Sequence, residues 1–64
     1  MPVVTIQLLE GRTMEQKREL TKVISEAVSR IANTPLEGVH VIFENVPRTD
    51  WGIGGTLFAD RNPR

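Results

Sequence analysis

Pro2 is the residue of this chain with the clearest potential for chemistry, because it directly follows the initiating methionine. Removal of Met1, which we expect because the next residue is small, would turn Pro2 into a secondary amine at the chain terminus. Such an amine can accept a proton as a general base or form an iminium ion with a carbonyl compound. The alternative is a proline that only opens a strand, where it lacks a ladder partner.

The composition describes a small neutral protein. Eight basic and eight acidic side chains give a formal net charge of zero, without a run of like charge, so no nucleic-acid partner is expected. No apolar run is long enough for a membrane span or a signal peptide, and we expect a soluble, cytoplasmic protein. Because the chain has no cysteine and one histidine, we expect neither a disulfide nor a metal site.

Length alone indicates assembly. The 64 residues are predicted to form a single domain over residues 1–64, and a chain this short buries only about 60% of the surface that its unfolded form exposes. Disulfides and metals are excluded as additional stabilisation. Oligomerisation is the remaining source.

The elements that must position Pro2 are predicted to be a strand, a helix and a strand. Residues 3–9 alternate in the manner of a half-covered strand. Thr13 and Gln16 fit a capping box at the start of a helix, and Asn33 with the following Pro35 predicts its end near Asn33. The apolar stripe that is predicted to face the sheet consists of Leu20, Val23, Ile24, Ala27, Val28 and Ile31.

A second strand is predicted over residues 39–44, in parallel pairing with the first because a helix connects them. The fold class is therefore α+β, a small βαβ unit, followed by a glycine-bent hairpin arm over residues 51–59 and a frayed end over residues 60–64. The uncovered sheet face would carry Val3, Leu9 and Ile42. We expect a second copy of the chain to cover it.

Several short segments in this order resemble the 4-oxalocrotonate tautomerase family. They are Pro2, the turn Leu9-Glu10-Gly11-Arg12-Thr13, Glu15-Gln16-Lys17, Ser25-Glu26-Ala27, Pro35-Leu36 and Trp51-Gly52-Ile53-Gly54-Gly55. The resemblance runs nearly end to end. It implies removal of Met1, a βαβ subunit, a homohexamer built as a trimer of dimers, and cofactor-free proton transfer on enols of 2-keto acids.

The resemblance also implies site residues. The family's catalytic proline falls on Pro2, its first substrate-binding arginine on Arg12, and its active-site aromatic on Trp51. Its second arginine falls on His40, a shorter side chain without the bidentate fork. Either His40, or Arg48 if its loop folds inward, could replace that arginine, which leaves the handling of a dicarboxylate open.

Each of these residues also has a simpler interpretation. Arg12 could be a solvated surface residue in a turn, and Trp51 could anchor an interface. His40 could equally be a partly buried, hydrogen-bonded strand residue. For Pro2 to act as a base at neutral pH, the pKa of its amine must fall, and apolar burial against Trp51 and repulsion from Arg12 would both lower it.

Three functions follow from this pattern. The first is a tautomerase, an isomerase that converts enol or dienol acids such as 2-hydroxymuconate to their keto forms with Pro2 as the base, in the breakdown of aromatic compounds. The second is a decarboxylase or hydratase of the same superfamily, with protonated Pro2 as a general acid. The third, which requires that Met1 is retained, is a non-enzymatic assembly or binding module.

Overall fold

The computed structural model describes residues 1–61 and shows a βαβ unit followed by a short hairpin. Strand β1 runs over Val3–Leu9, helix α1 over Met14–Ala32 and strand β2 over His40–Val46. Two-residue strands, β3 at Gly52–Ile53 and β4 at Thr56–Leu57, form the hairpin. Three 3₁₀ turns, which the sequence did not predict, lie at Leu36–Gly38, Arg48–Asp50 and Phe58–Asp60.

The predicted parallel pairing of the two long strands is confirmed. The register runs from Val3 opposite His40 to Leu9 opposite Val46, so both strands begin at one end of the sheet and finish at the other. We call these the amino end and the carboxyl end. Helix α1 makes the crossover between the strands and packs against β2, which confirms the α+β class with a βαβ unit.

Local signals set both ends of the helix as predicted. The Thr13 hydroxyl accepts a hydrogen bond from the backbone N–H of Gln16 at 3.1 Å, and the Gln16 side chain accepts one from the Thr13 N–H at 2.9 Å. Asn33 adopts the left-handed conformation with φ 57°, which terminates the helix. This helix is not apolar enough to cross a membrane, and no other helix within residues 1–61 is.

The helix stripe is only partly covered by the sheet. Ile24, Ala27 and Val28 are half-buried, whereas Val23 and Ile31 are 55% and 74% exposed. The expectation that the whole stripe rests on the sheet is therefore wrong for a single chain, because two strands are narrower than the stripe. Within residues 1–61 no side chain is fully buried.

Strand β2 is displaced along the chain from its predicted bounds of 39–44. Val39 closes the first 3₁₀ turn, with its N–H donating to the Leu36 carbonyl at 3.1 Å, so the strand begins one residue later. At the other end, pairing with β1 continues to Val46, and Pro47 follows. Sequence pattern did not show this extension, since Asn45 interrupts the apolar run.

The hairpin arm is confirmed, and two glycines shape its turn. Gly54 and Gly55 both have positive φ, at 57° and 90°, which an L-residue rarely adopts. The Phe58 N–H donates to the Trp51 carbonyl at 2.7 Å and closes the hairpin. The predicted frayed end is wrong for Asp60 and Arg61, because Arg61 donates to the Phe58 carbonyl; residues 62–64 lie outside the described part of the chain.

Candidate active site

Pro2 lies at the amino end of the sheet, immediately before β1. It is half-buried, and its carbonyl oxygen accepts a hydrogen bond from the His40 N–H at 2.9 Å. A proline nitrogen has no hydrogen to give to a strand ladder, so the structural contact uses the carbonyl and leaves the nitrogen out of the sheet. Met1, which precedes it, is 88% exposed. The geometry is compatible with loss of Met1 without loss of a ladder bond.

His40 lies beside Pro2 and opposite Val3 in the parallel register. Its side chain shares the open face of the sheet with Val3, Thr5 and Ile42, the face turned away from the helix. It is exposed, and it makes no side-chain hydrogen bond to any residue from 1 to 61. The alternative of a hydrogen-bonded, partly buried histidine is therefore not found within a single chain.

The open face is only partly as predicted. Val3 and Ile42 are 56% and 48% exposed, but Leu9 is half-buried. Farther along this face the Gln7 amide donates to a Glu44 carboxylate oxygen at 2.8 Å. Apolar side chains thus remain uncovered near Pro2 and His40, while the far end of the face carries a polar pair.

Arg12 lies at the carboxyl end of the sheet. The Glu10 N–H donates to the Val46 carbonyl at 3.0 Å, and Gly11, with φ 113°, turns the chain from β1 toward the helix. Arg12 follows this turn as an exposed side chain. Since β1 has seven residues, and a strand rises by about 3.3 Å per residue, Arg12 is separated from Pro2 by about 20 Å of sheet.

Trp51 also follows the carboxyl end, because β2 finishes at Val46 and the chain continues through a 3₁₀ turn into the hairpin. Its side chain is half-buried. Opposite it in the hairpin stands Phe58, whose ring lies under the guanidinium of Arg48 at 4.6 Å from the ring centroid. The sequence analysis assigned no role to Phe58. The predicted hairpin could have indicated one, because it pairs the segments on either side of its glycine turn and so brings Phe58 opposite Trp51.

The four predicted site residues therefore form two groups in one chain. Pro2 and His40 are neighbours at the amino end, and Arg12 and Trp51 belong to the carboxyl end. One copy cannot bring Pro2 and Arg12 to the same small molecule. A site that uses all four residues must combine the amino end of one copy with the carboxyl end of another.

Comparisons with known proteins relate nearly the whole chain to one family. Residues 2–61 match the family described as "Tautomerase enzyme". A probable tautomerase of Listeria monocytogenes is 48% identical over 60 residues, covering 94% of this chain and 98% of that protein. A 2-hydroxymuconate tautomerase of Stutzerimonas stutzeri is 47% identical over 55 residues, covering 86% and 87% of the two chains.

A solved structure shows the same fold. The heterohexameric 4-oxalocrotonate tautomerase from Chloroflexus aurantiacus superposes with a TM-score of 0.90 at 39% sequence identity. The superposition covers 97% of this chain and 100% of that chain. The similarity thus extends over the βαβ unit and the hairpin together.

Proposed function

The chain belongs to the tautomerase family, a family of isomerases, and we propose that it converts dienol 2-hydroxy acids such as 2-hydroxymuconate to their keto forms with Pro2 as the general base. The observation that supports this proposal best is the position of Pro2. Its carbonyl is fixed to the His40 N–H, while its nitrogen takes no part in the sheet. Removal of Met1 would leave a positioned secondary amine at the sheet edge.

The proposed reaction moves one proton. The Pro2 nitrogen accepts the proton of the substrate hydroxyl, a carbonyl forms at that carbon, and electrons shift along the conjugated chain. The prolinium then returns the proton to a carbon of that chain, so no atom is gained or lost. Arg12 would bind a substrate carboxylate and stabilise negative charge as it develops, and Trp51 would exclude water.

We also propose that the active form is a homohexamer, located in the cytoplasm and acting in the breakdown of aromatic compounds. The absence of a fully buried side chain among residues 1–61 supports assembly. So does the separation of the site into two groups, because only a neighbouring copy can bring Arg12 and Trp51 to Pro2. The Chloroflexus relative is a hexamer of different chains, whereas this sequence carries all four residues itself.

The test uses two versions of the chain that differ only at the terminus. A chain of 64 residues is short enough for chemical synthesis, so it can be prepared with Met1 and without it. We expect the version that begins at Pro2 to accelerate the ultraviolet decay of 2-hydroxymuconate, and the version with Met1 to be nearly inactive. Equal rates would exclude the Pro2 amine as the base.

Product analysis completes this test. NMR of the reaction mixture should show a keto isomer that retains every carbon of the substrate and gains no hydroxyl group. Release of carbon dioxide or addition of water would instead assign the decarboxylase or hydratase reaction. Inactivity of both versions, in a correctly assembled oligomer, would contradict the proposed substrate class.

A further inference from the structure

Arg48 is a positioned cation that has no anionic partner among residues 1–61. Its guanidinium lies 4.6 Å from the centroid of the Phe58 ring, a cation–π contact that restricts where the side chain can be. Among residues 1–61 it has no carboxylate oxygen within 4.0 Å and donates no hydrogen bond. The neighbouring carboxylate of Asp50 accepts from the Thr49 hydroxyl at 3.2 Å instead.

Arg48 shares the carboxyl end of the sheet with Arg12. The register pairs Leu9 with Val46 as the last residues of the two strands. Arg12 follows the first of these by three residues, and Arg48 follows the second by two. Since adjacent strands lie only about 4.8 Å apart, the two arginines follow neighbouring strands at the same end of the sheet.

The open face at the amino end of the sheet carries no comparable cation. Neither residues 1–6 nor residues 36–43, which hold the strand starts at that end, contain a lysine or an arginine, and Arg30, in the last turn of the helix, lies on the other face of the sheet. His40 is the one basic side chain in these two segments, and a histidine lacks the planar fork that binds a carboxylate through two parallel hydrogen bonds. Of the two ends of the sheet, the carboxyl end is therefore the one where two arginines, Arg12 and Arg48, directly follow the strands.

We propose that Arg48 binds the second carboxylate of a dicarboxylate substrate, while Arg12 of the same copy binds the first and Pro2 of another copy meets the dienol between them. This inference rests on the proposed function and extends it to the substrate class. Arg48 is then a substrate-binding residue that determines specificity for dianions, and His40 is not the group that replaces a second arginine.

A purely structural role for Arg48, in which the cation–π contact only holds the hairpin, makes a different prediction. Loss of that contact would weaken binding of every ligand, whatever its charge. Loss of a carboxylate-binding group would weaken binding of dicarboxylates alone. Two unreactive six-carbon dienes separate these roles, since muconate ends in a carboxylate where sorbate ends in a methyl group.

The experiment measures binding of muconate and of sorbate by isothermal titration calorimetry, with the assembled protein that begins at Pro2. Arg48→Met removes the charge but keeps an apolar contact with the Phe58 ring. The matched control is Arg61→Met, which makes the same change at an exposed arginine that follows the hairpin arm. Arg48→Lys keeps the charge and loses the fork.

We expect the unmodified protein to bind muconate more tightly than sorbate. Arg48→Met should lower muconate affinity about ten- to hundredfold, the effect of a lost hydrogen-bonded charge, and leave sorbate affinity unchanged. Arg61→Met should preserve the preference, and Arg48→Lys should retain part of it. An unaltered preference in Arg48→Met, an equal loss for both ligands, or no preference in the unmodified protein would overturn the inference. Because the ligands do not react, these outcomes are independent of whether the protein turns over 2-hydroxymuconate.

Discussion

In Pro2, the backbone carbonyl has a structural role and the nitrogen has the proposed chemical role. Its carbonyl holds the first bond of the β1–β2 ladder, and its nitrogen is the group proposed to move a proton. A substitution that keeps the backbone should therefore remove catalysis without disturbing the sheet. The three other predicted site residues have no such internal separation, because their side chains carry the whole of their proposed roles.

Pro2→Ala tests this separation. Alanine retains the carbonyl that accepts from His40, but it replaces the cyclic secondary amine with a primary one. We expect kcat/KM for 2-hydroxymuconate to fall at least about a hundredfold, within the range that a positioned general base contributes. Ultraviolet kinetics measures the rate, and native mass spectrometry checks that the oligomer persists. Unchanged turnover would refute the assignment of Pro2.

At the scale of elements, the hairpin depends on the two glycines of its turn. Gly55 has φ 90°, where a side chain is strained whatever space surrounds it. This turn fixes the pairing of Trp51 with Phe58, and the position of Phe58 determines where the Arg48 guanidinium contacts the Phe58 ring. The backbone conformation of the hairpin arm therefore determines where Trp51 and Arg48 lie in the proposed site.

Gly55→Ala should lower activity while the helix persists. Strain at this position should disorder the arm, and we expect a several-fold fall in kcat/KM with an unchanged helical circular dichroism signal. Gly38→Ala is the matched control, since Gly38 has an ordinary φ and a new Cβ would lie 4.0 Å from the Thr34 hydroxyl. Equal activity in both variants would show that the turn does not position the site.

Helix boundaries that depend on nearby residues could be predicted from the sequence. Strand boundaries that depend on pairing with another strand could not. The ends of the helix follow from Thr13, Gln16 and Asn33, which act within one turn of the chain. The bounds of β2 depend on where the register with β1 stops, and the 3₁₀ turns depend on short backbone bonds. Neither leaves a periodic pattern in the sequence.

The site shows the same division. Pro2 could be recognised from its place in the sequence, and Arg12, His40 and Trp51 came from the resemblance to a family. The strand register was needed to show which of these residues are neighbours. It pairs His40 with Val3 and thereby places His40 beside Pro2. The contact between Arg48 and Phe58 required the closed hairpin, which joins residues ten positions apart.

At the scale of the whole molecule, a site that uses both groups of predicted residues requires two copies of the chain. The sheet separates Pro2 from Arg12 by about 20 Å. A copy that lacks one of these residues can therefore be complemented by another copy that retains it. This allows a test of shared sites that does not depend on a structure of the oligomer.

Mixing two inactive variants should restore activity. Pro2→Ala lacks the base and Arg12→Ala lacks the carboxylate ligand, and each alone should be nearly inactive. When they are unfolded together and reassembled in equal amounts, about a quarter of the sites should combine an intact Pro2 with an intact Arg12. Kinetics of the mixture against each variant reassembled alone measures the recovery. No recovery would mean that the site lies within one copy.

A chain with no fully buried side chain in residues 1–61 has a further property. In the proposed oligomer, apolar surface that one chain leaves exposed is buried between copies, so folding and association become one equilibrium. The free energy of unfolding of such a protein has no single value. It depends on the protein concentration. The same substitution can be harmless where the protein is concentrated and can unfold it in a dilute assay.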